Sequence, residues 1–429
     1  MRYHSNSAHF QYVRSLGNVS IYRLKIMFSR LKSSFMSIFL EKINMLRLHV
    51  YLINIKMEPF NKDKPYNSLP PLPPSFDVET KDVLKACLEA TRSLAELKGI
   101  GSILPDQSIL INSIPLQEAK LSSEIENIVT TQDKLFQANL INESNIIKES
   151  SYREDKIDPA TKEVIKYRTA LKYGYDEIRL HKRSFDLRLI RDICSVLRGK
   201  SVDFRDYGAN VALANPYTHE RRYTPPEGGA VLKNKLDDLE KYIFEYKEHD
   251  PLIKMALIHY QFESIHPFDD GNGRTGRIMN ILYLVHAGLL DIPVLYLSKY
   301  LIENKNEYYK KLRLVTENSE WETWVLYMLK GVAETARITT NRIKQISTLF
   351  SEISAEVKQN APKIYSKDLI ESIFKQAYTK VSFLVHDNIA KRQTASIYLQ
   401  ELSALGILEE IKIGREKVYI NSRLVDLLR

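Results

Sequence analysis

His266-Pro267-Phe268-Asp269-Asp270-Gly271-Asn272-Gly273-Arg274-Thr275-Gly276-Arg277 is the stretch from which the rest of this 429-residue chain is read. Two glycines flank Asn272 where a helical pattern starts, so the backbone can approach a ligand closely. The open N–H groups of a first helical turn, together with the helix dipole, favour an anion there, and phosphate suits them. Arg274 and Arg277, three apart in that turn, add charge-assisted contacts. Asp270 beside a phosphate is a natural Mg²⁺ ligand, because Mg²⁺ usually takes one or two carboxylates plus phosphate oxygens. His266, with an ordinary pKa of about 6.5, can accept a proton from a hydroxyl at neutral pH. The combination predicts metal-assisted transfer of a phosphorus-centred group to a hydroxyl.

Taken singly, each element has a plainer explanation. A histidine near a helix end is usually structural, Gly-Asn-Gly makes a tight turn, and two arginines in one turn make a surface patch. Their conjunction within one short stretch is far more specific. The lysine of a Walker A loop is missing, which disfavours an ordinary P-loop nucleotidase.

Helical periodicity lies on both sides. Leu252, Met255, Ile258 and Phe262 share one face before the stretch; Ile278, Ile281, Leu282 and Val285 share one after it, ending at Gly288. Further helices are expected at 77–98, with a stripe of Leu84, Cys87, Leu88, Leu94 and Leu97 stopped by Gly99, and at 116–128 after Pro115. Others fall at about 159–175, 185–198 and 229–249, and helical patterns run from Glu307 to about Ser351. Residues 203–224 contain turn formers (Asn210, Asn215-Pro216) and end in Tyr223-Thr224-Pro225-Pro226, which predicts a hairpin or irregular flap. Leu69-Pro70-Pro71-Leu72-Pro73-Pro74 is a polyproline-type stretch, read as a rigid lead-in or an SH3 ligand.

Beyond Pro362 a helix from Ser366, another near 381–390, and a third capped by Thr394 and ended by Gly406 precede a hairpin. Ile411/Ile413 and Val418/Ile420 alternate around its Gly414-Arg415 turn. That order predicts a winged helix-turn-helix. The fold class is therefore all-α with a small β-hairpin flap. The segments are a basic extension (1–56), an N-terminal helical region (57–155), a catalytic core (156–350) and the winged helix (362–429).

Composition narrows the class. With 44% apolar and 27% charged residues, global disorder and a disulfide-stapled scaffold are excluded. Cys87 and Cys194 lack CxxC spacing and read as small core residues. Sparse thiols and no signal sequence predict a cytoplasmic protein. The net charge of +9 is uneven: Arg2, Arg14, Arg23, Lys25, Arg30, Lys32, Lys42, Arg47 and Lys56 stand against Glu41 alone in the first 56 residues. Apolar runs there, such as 33–40 and 48–55, fall far short of the roughly 20 residues of a spanning helix. An interfacial amphipathic helix is the alternative. Composition changes at Met57, so the extension reads as upstream sequence from a misassigned start, and no membrane partner is expected.

The quoted stretch resembles the signature of the Fic family, His-x-Phe-x-Asp/Glu-Gly-Asn-Gly-Arg-x-x-Arg, at every specified position. The proline-rich lead-in, the flap, Tyr308-Tyr309, Trp321, Trp324 and the winged helix are also similar to the two-domain bacterial members. The resemblance implies a Fic-type helical bundle and a protein adenylyltransferase. Such an enzyme moves AMP from ATP to a Ser, Thr or Tyr hydroxyl of a target protein, or of itself, and releases pyrophosphate. It makes His266 the general base, Phe268 the core anchor and Asp270 the Mg²⁺ ligand. Gly271, Asn272 and Gly273 would form the phosphate hole, with Arg274 and Arg277 on the charged tail and Arg277 nearest the γ-phosphate. Gln261, Tyr308 and Tyr309 are further candidates for nucleotide contacts, and the flap would align a target segment by strand pairing. The family's phosphate-transferring branch has lysine where this chain has Gly273, which argues for nucleotidyl transfer.

Ser122-Ser123-Glu124-Ile125-Glu126-Asn127 resembles the family's inhibitory motif, Ser/Thr-x-x-x-Glu-Gly/Asn. By that resemblance Glu126, with Ser122 one turn before it, pairs with Arg277 and obstructs the γ-phosphate. In some relatives the same glutamate takes part in removing AMP. Residues 363–429 hold eleven bases and eight acids. Lys391, Arg392, Lys412, Arg415 and Lys417 could face DNA, or the module could dock target proteins or a second copy in a homodimer. The rival reading is a DNA-binding regulator whose core senses nucleotide. The full set of His266, Asp270, Asn272 and Arg277 favours the enzyme, because a sensor needs no base.

Overall fold

A computed structural model describes residues 60–428, apart from 102, 105, 147–156, 209–210, 215–217, 219 and 414–415. The basic extension, the flap turn formers Asn210 and Asn215-Pro216, and the Gly414-Arg415 turn lie outside the described residues.

Helix α1 (Lys81–Ile100) starts where the Thr80 side chain accepts the Val83 N–H, a cap of the class that contributes about 1 kcal/mol. Gly99 does not stop it; Gly101 is the cap. Its buried stripe is Val83, Cys87, Ala90, Leu94 and Leu97, so Leu84 and Leu88 point outward, contrary to expectation. Helix α2 (Ser108–Ile125) corrects a second expectation, because Pro115 lies inside it rather than before it. Proline removes one main-chain donor, while Ile109, Leu110, Ile114 and Leu116 bury both halves of the same rod. The helix ends at Ile125, short of 128; Glu126 caps it and Asn127 takes a left-handed φ of 62°.

Helix α3 (Gln132–Ile146) was not anticipated. Helices α4 (Pro159–Arg179) and α5 (Leu187–Arg198) begin at aspartate caps, Asp158 and Asp186. The flap is a minimal antiparallel pair, β1 (Leu213–Ala214) and β2 (Arg221–Tyr223), joined as Leu213↔Tyr223. Helix α6 (Ala230–Glu245) leads to α7 (Pro251–Ile265) and α8 (Asn272–His286), which flank the signature. Helix α7 is buried nearly all round, as a helix at the centre of a bundle must be.

The helical run expected over 307–351 is two elements preceded by an unanticipated one: α9 (Leu297–Glu303), α10 (Lys305–Asn318) and α11 (Trp321–Asn360). The break falls at Ser319, whose φ of 59° ends α10. Helix α11 packs along α1. Near its start the buried Trp324 donates Nε1–H to the Ala256 carbonyl at 2.8 Å, tying it to α7.

The C-terminal segment runs α12 (Lys367–Lys375), β3 (Tyr378–Thr379), α13 (Val381–His386), α14 (Arg392–Ala404), β4 (Glu409–Ile413), β5 (Glu416–Ile420) and α15 (Ser422–Leu428). Its antiparallel sheet has the order β3-β5-β4, compatible with a winged helix. Thr394 is not the cap of α14; Lys391 holds that position. The segment is docked on the bundle rather than set apart. Tyr378 stacks on Phe136 with centroids 5.3 Å apart, Lys375 pairs with Asp106 at 2.9 Å, and Arg423 bridges Glu352 and Glu356 at 2.8 and 3.1 Å. Cys87 and Cys194 are buried, as expected. Among the described residues no helix is long and apolar enough to cross a membrane.

Candidate active site

The site is built on the turn between α7 and α8. His266 caps α7 in a left-handed conformation (φ 52°, ψ 60°), its N–H donating to the Phe262 carbonyl at 2.9 Å. Phe268 is buried and stacks on Phe204 at 5.3 Å. The Asn272 side chain accepts the Phe268 N–H at 2.8 Å and donates to the Phe268 carbonyl at 2.7 Å. That amide is therefore consumed in holding the loop, and what Asn272 offers an anion is its main-chain N–H. Gly271 takes φ 92°, which a side chain would strain. The N–H groups of Asn272, Gly273 and Arg274 open α8 with no acceptor inside the helix.

Arg205 was not singled out from the sequence, yet it fixes this turn. Buried, it donates Nε–H to the His266 carbonyl at 2.7 Å and Nη2–H to the carbonyls of Pro226 and Ile265 at 2.9 and 3.1 Å. Its main-chain N–H adds a bond to Pro267 at 2.8 Å. Burial and then the Arg205 charge push the His266 imidazolium down to about 4, so the ring is neutral at pH 7. Its ring faces the Glu263 main chain, whose hydrogen bond opposes that fall, and Nδ1 is buried.

Arg277 is 2% exposed and gathers Ser122 and Glu126. Its Nε–H donates to Ser122 Oγ at 2.7 Å, and Nη2–H to the Ser122 carbonyl at 3.1 Å and Glu126 Oε1 at 2.8 Å. Burial alone would raise the Glu126 pKa, but the Arg277 guanidinium outweighs it and holds the carboxyl below its usual range. A Cβ built on Gly273 would collide with Glu126 Oε1. The carboxylate thus lies over the first turn of α8, where an anion would sit. Arg274 is buried against Glu163 at 2.7 Å, a partner the sequence reading did not find. On α2 itself, buried Glu118 accepts the Ser298 N–H at 3.0 Å, and burial pushes it up to about 7.

Asp270 is exposed and paired with Arg198, its other oxygen 3.8 Å from Arg274 Nη2. One carboxylate beside a phosphate seat fits Mg²⁺, which takes most of its remaining ligands from phosphate and water. No cluster of three metal-ligating side chains occurs among the described residues. Gln261 is buried with its amide donating to the Pro70 carbonyl at 2.9 Å, committed to the proline-rich lead-in. Tyr308 is a core residue whose hydroxyl meets His259 Nε2 at 2.9 Å. Tyr309, 39% exposed and 5.0 Å from the Tyr308 ring, is the aromatic face left open. Tyr223 anchors the flap through its hydroxyl, which donates to the Ser264 carbonyl at 2.8 Å.

Three family profiles match the chain: Fic/DOC family N-terminal over 84–176, Fic/DOC family over 184–284, and the C-terminal domain of SoFic-like protein adenylyltransferases over 349–424. Over 80 residues the chain is 36% identical to a probable protein adenylyltransferase of Aquifex aeolicus, covering 19% of this chain and 25% of the relative. Over 111 residues it is 35% identical to a protein adenylyltransferase of Caenorhabditis elegans, covering 25% and 20%. The chain thus spans a quarter or less of the length of these relatives. A Fic family protein from Desulfovibrio desulfuricans superposes with a TM-score of 0.48 at 16% identity, covering 81% of this chain and 98% of that one.

Proposed function

The chain belongs to the Fic/DOC family, and from that premise we propose that it is an autoinhibited protein adenylyltransferase. It moves AMP from ATP to a Ser, Thr or Tyr hydroxyl of a target protein or of itself. Neutral His266 accepts the hydroxyl proton on Nε2. The freed oxygen attacks the α-phosphorus, the bond from that phosphorus to the bridging oxygen of the β-phosphate breaks, and pyrophosphate leaves with the electron pair. The N–H groups of Asn272, Gly273 and Arg274 hold phosphate oxygens, and Arg274 and Arg277 take the charged tail. When bound, Mg²⁺ held by Asp270 offsets charge on the phosphates. The exposed strands β1 and β2 offer main-chain groups for pairing with a target segment.

The observation that carries this reading is Glu126 Oε1 at 2.8 Å from Arg277, lying over Gly273. An internal carboxylate occupies the place where the phosphate tail would go, so the seat is one for anions and the chain blocks it. The test is transfer of α-labelled ATP to the chain itself and to proteins of a lysate. Labelling by Glu126→Gly that disappears in His266→Ala supports the proposal. A salt-dependent shift of duplex DNA with no labelling in either protein supports the regulator instead.

A further inference from the structure

A second cavity, of about 190 Å³, lies against a neighbouring face of the helix that carries Ser122. Gln117 and Lys120 of α2, Gln132 of α3, Tyr296 and Lys299 at α9, and Arg342 of α11 line it, and Leu428 of α15 closes one side. Three donors in its wall are fully enclosed and have no partner among the described residues: Gln117 Nε2, Gln132 Nε2 and the Tyr296 hydroxyl. Gln117 and Tyr296 are 5% and 3% exposed, so their side chains cannot turn out to bulk water. Lys299 pairs with Glu303 at 2.6 Å, whereas Lys120 and Arg342 make no ion pair among the described residues. Arg342 instead lies 5.7 Å from the centre of the Tyr296 ring.

Unpaired buried donors are costly and rare, and here they stand in the wall of a cavity that also takes cations, with no carboxylate among its described lining residues. The geometry points to a binding site for a small phosphate-bearing anion, either inorganic phosphate or a phosphomonoester. A tetrahedral oxyanion presents enough acceptors to meet donors arriving from α2, α3, α9 and α11 at once, and the planar Arg342 fork suits it. The site is separate from the first turn of α8. Its bearing on activity rests on the autoinhibition reading: Lys120 precedes Ser122 by two residues, so a guest that ties α2 to α9 and α11 holds Ser122 and Glu126 against Arg277. Occupancy therefore lowers self-labelling of the wild type.

The experiment is calorimetric titration of the full chain at constant ionic strength with inorganic phosphate, glycerol 3-phosphate and acetate. Wild type, Lys120→Gln/Arg342→Gln and Tyr296→Phe are compared. Phosphate or its ester binds the wild type, at least tenfold more weakly the double variant, and about threefold more weakly Tyr296→Phe; acetate does not bind. Tighter binding of the ion names free phosphate as the guest, and tighter binding of glycerol 3-phosphate names an ester. Unchanged affinity in both variants places the anion elsewhere and overturns the inference. So does acetate binding as tightly as phosphate, or no binding to wild type. Tyr296→Phe keeps the ring and its packing, so it decides the matter if the double variant does not fold. Calorimetry needs no transfer activity, so a failure of AMP transfer leaves this test intact.

Discussion

Replacing Glu126 with glycine removes the one carboxylate that Arg277 holds, at 2.8 Å, over the first turn of α8. A hydrogen bond between charged groups contributes about 1.5–3 kcal/mol. The Glu126 side chain is 36% exposed, so solvent screening places this pair near the lower end, about 1.5–2 kcal/mol. At about 1.4 kcal/mol per factor of ten, the released seat gives a rise of roughly 10- to 30-fold in the initial rate of AMP incorporation. Arg277 keeps both bonds to Ser122, so it stays oriented. Position 126 has φ −89° and ψ 15°, which glycine adopts without strain, so the fold persists. The assay is initial-rate self-labelling with α-labelled ATP at subsaturating nucleotide, with His266→Ala as the blank. Glu126→Gln, which keeps the shape and loses the charge, falls between wild type and glycine. Equal initial rates for wild type and Glu126→Gly would refute the blocking role.

Other expectations concern the frame around that seat. Arg205→Ala strips the donor from three main-chain carbonyls around His266; denaturant titration should show a loss of about 3 kcal/mol, and labelling in the Glu126→Gly background should fall at least tenfold. Gly273→Ala places a methyl group against Glu126 Oε1 and 3.1 Å from Arg277 Nη1. It should destabilise the wild type by about 1–2 kcal/mol and the Glu126→Gly protein by less, a coupling that a double-mutant cycle reads directly. The pH profile follows from His266, which burial pushes down to about 4. The neutral ring is the base, so activity is lost as pH falls through that value. kcat/KM of Glu126→Gly should therefore stay flat from pH 8 to about 5.5, where a histidine of ordinary pKa, about 6.5, would already be mostly protonated.

The parts legible in the sequence are those whose chemistry is contiguous. His266, Phe268, Gly271 and Asn272 act within one turn, so their spacing carries the information, although the fate of the Asn272 amide needed coordinates. The contact of Glu126 with Arg277 spans 151 positions and was reachable only through resemblance to a known motif. Arg205, Arg198 and Glu163 left no signal, because a lone charge in a polar stretch looks like a solvated one until tertiary approach sets its partner. The start of α2 is hidden in the sequence for a different reason. Proline is a strong local breaker, but the apolar residues on both sides of Pro115 face one core, and their burial outweighs the single lost bond. Leu84 and Leu88 point outward for the reverse reason: apolar character alone does not pick the face, and Val83 and Ala90 fit the tighter one.

The charge of the site takes its meaning from pairing rather than from the total. Three arginines around the turn already have a carboxylate: Arg198 has Asp270, Arg274 has Glu163 and Arg277 has Glu126. In the proposed reaction a triphosphate would exchange with carboxylates here rather than fill an open cationic field. Glu163 belongs to α4 and also pairs with Lys166 at 2.9 Å, which holds it in place. Asp270 sits in the loop itself. Glu126 alone is carried by the end of a separate helix, α2, and only its carboxylate overlies Gly273. That helix packs on α12 and α15 of the C-terminal segment as well as on α4 and α9. The carboxylate over Gly273 is thus attached to the element the C-terminal segment braces.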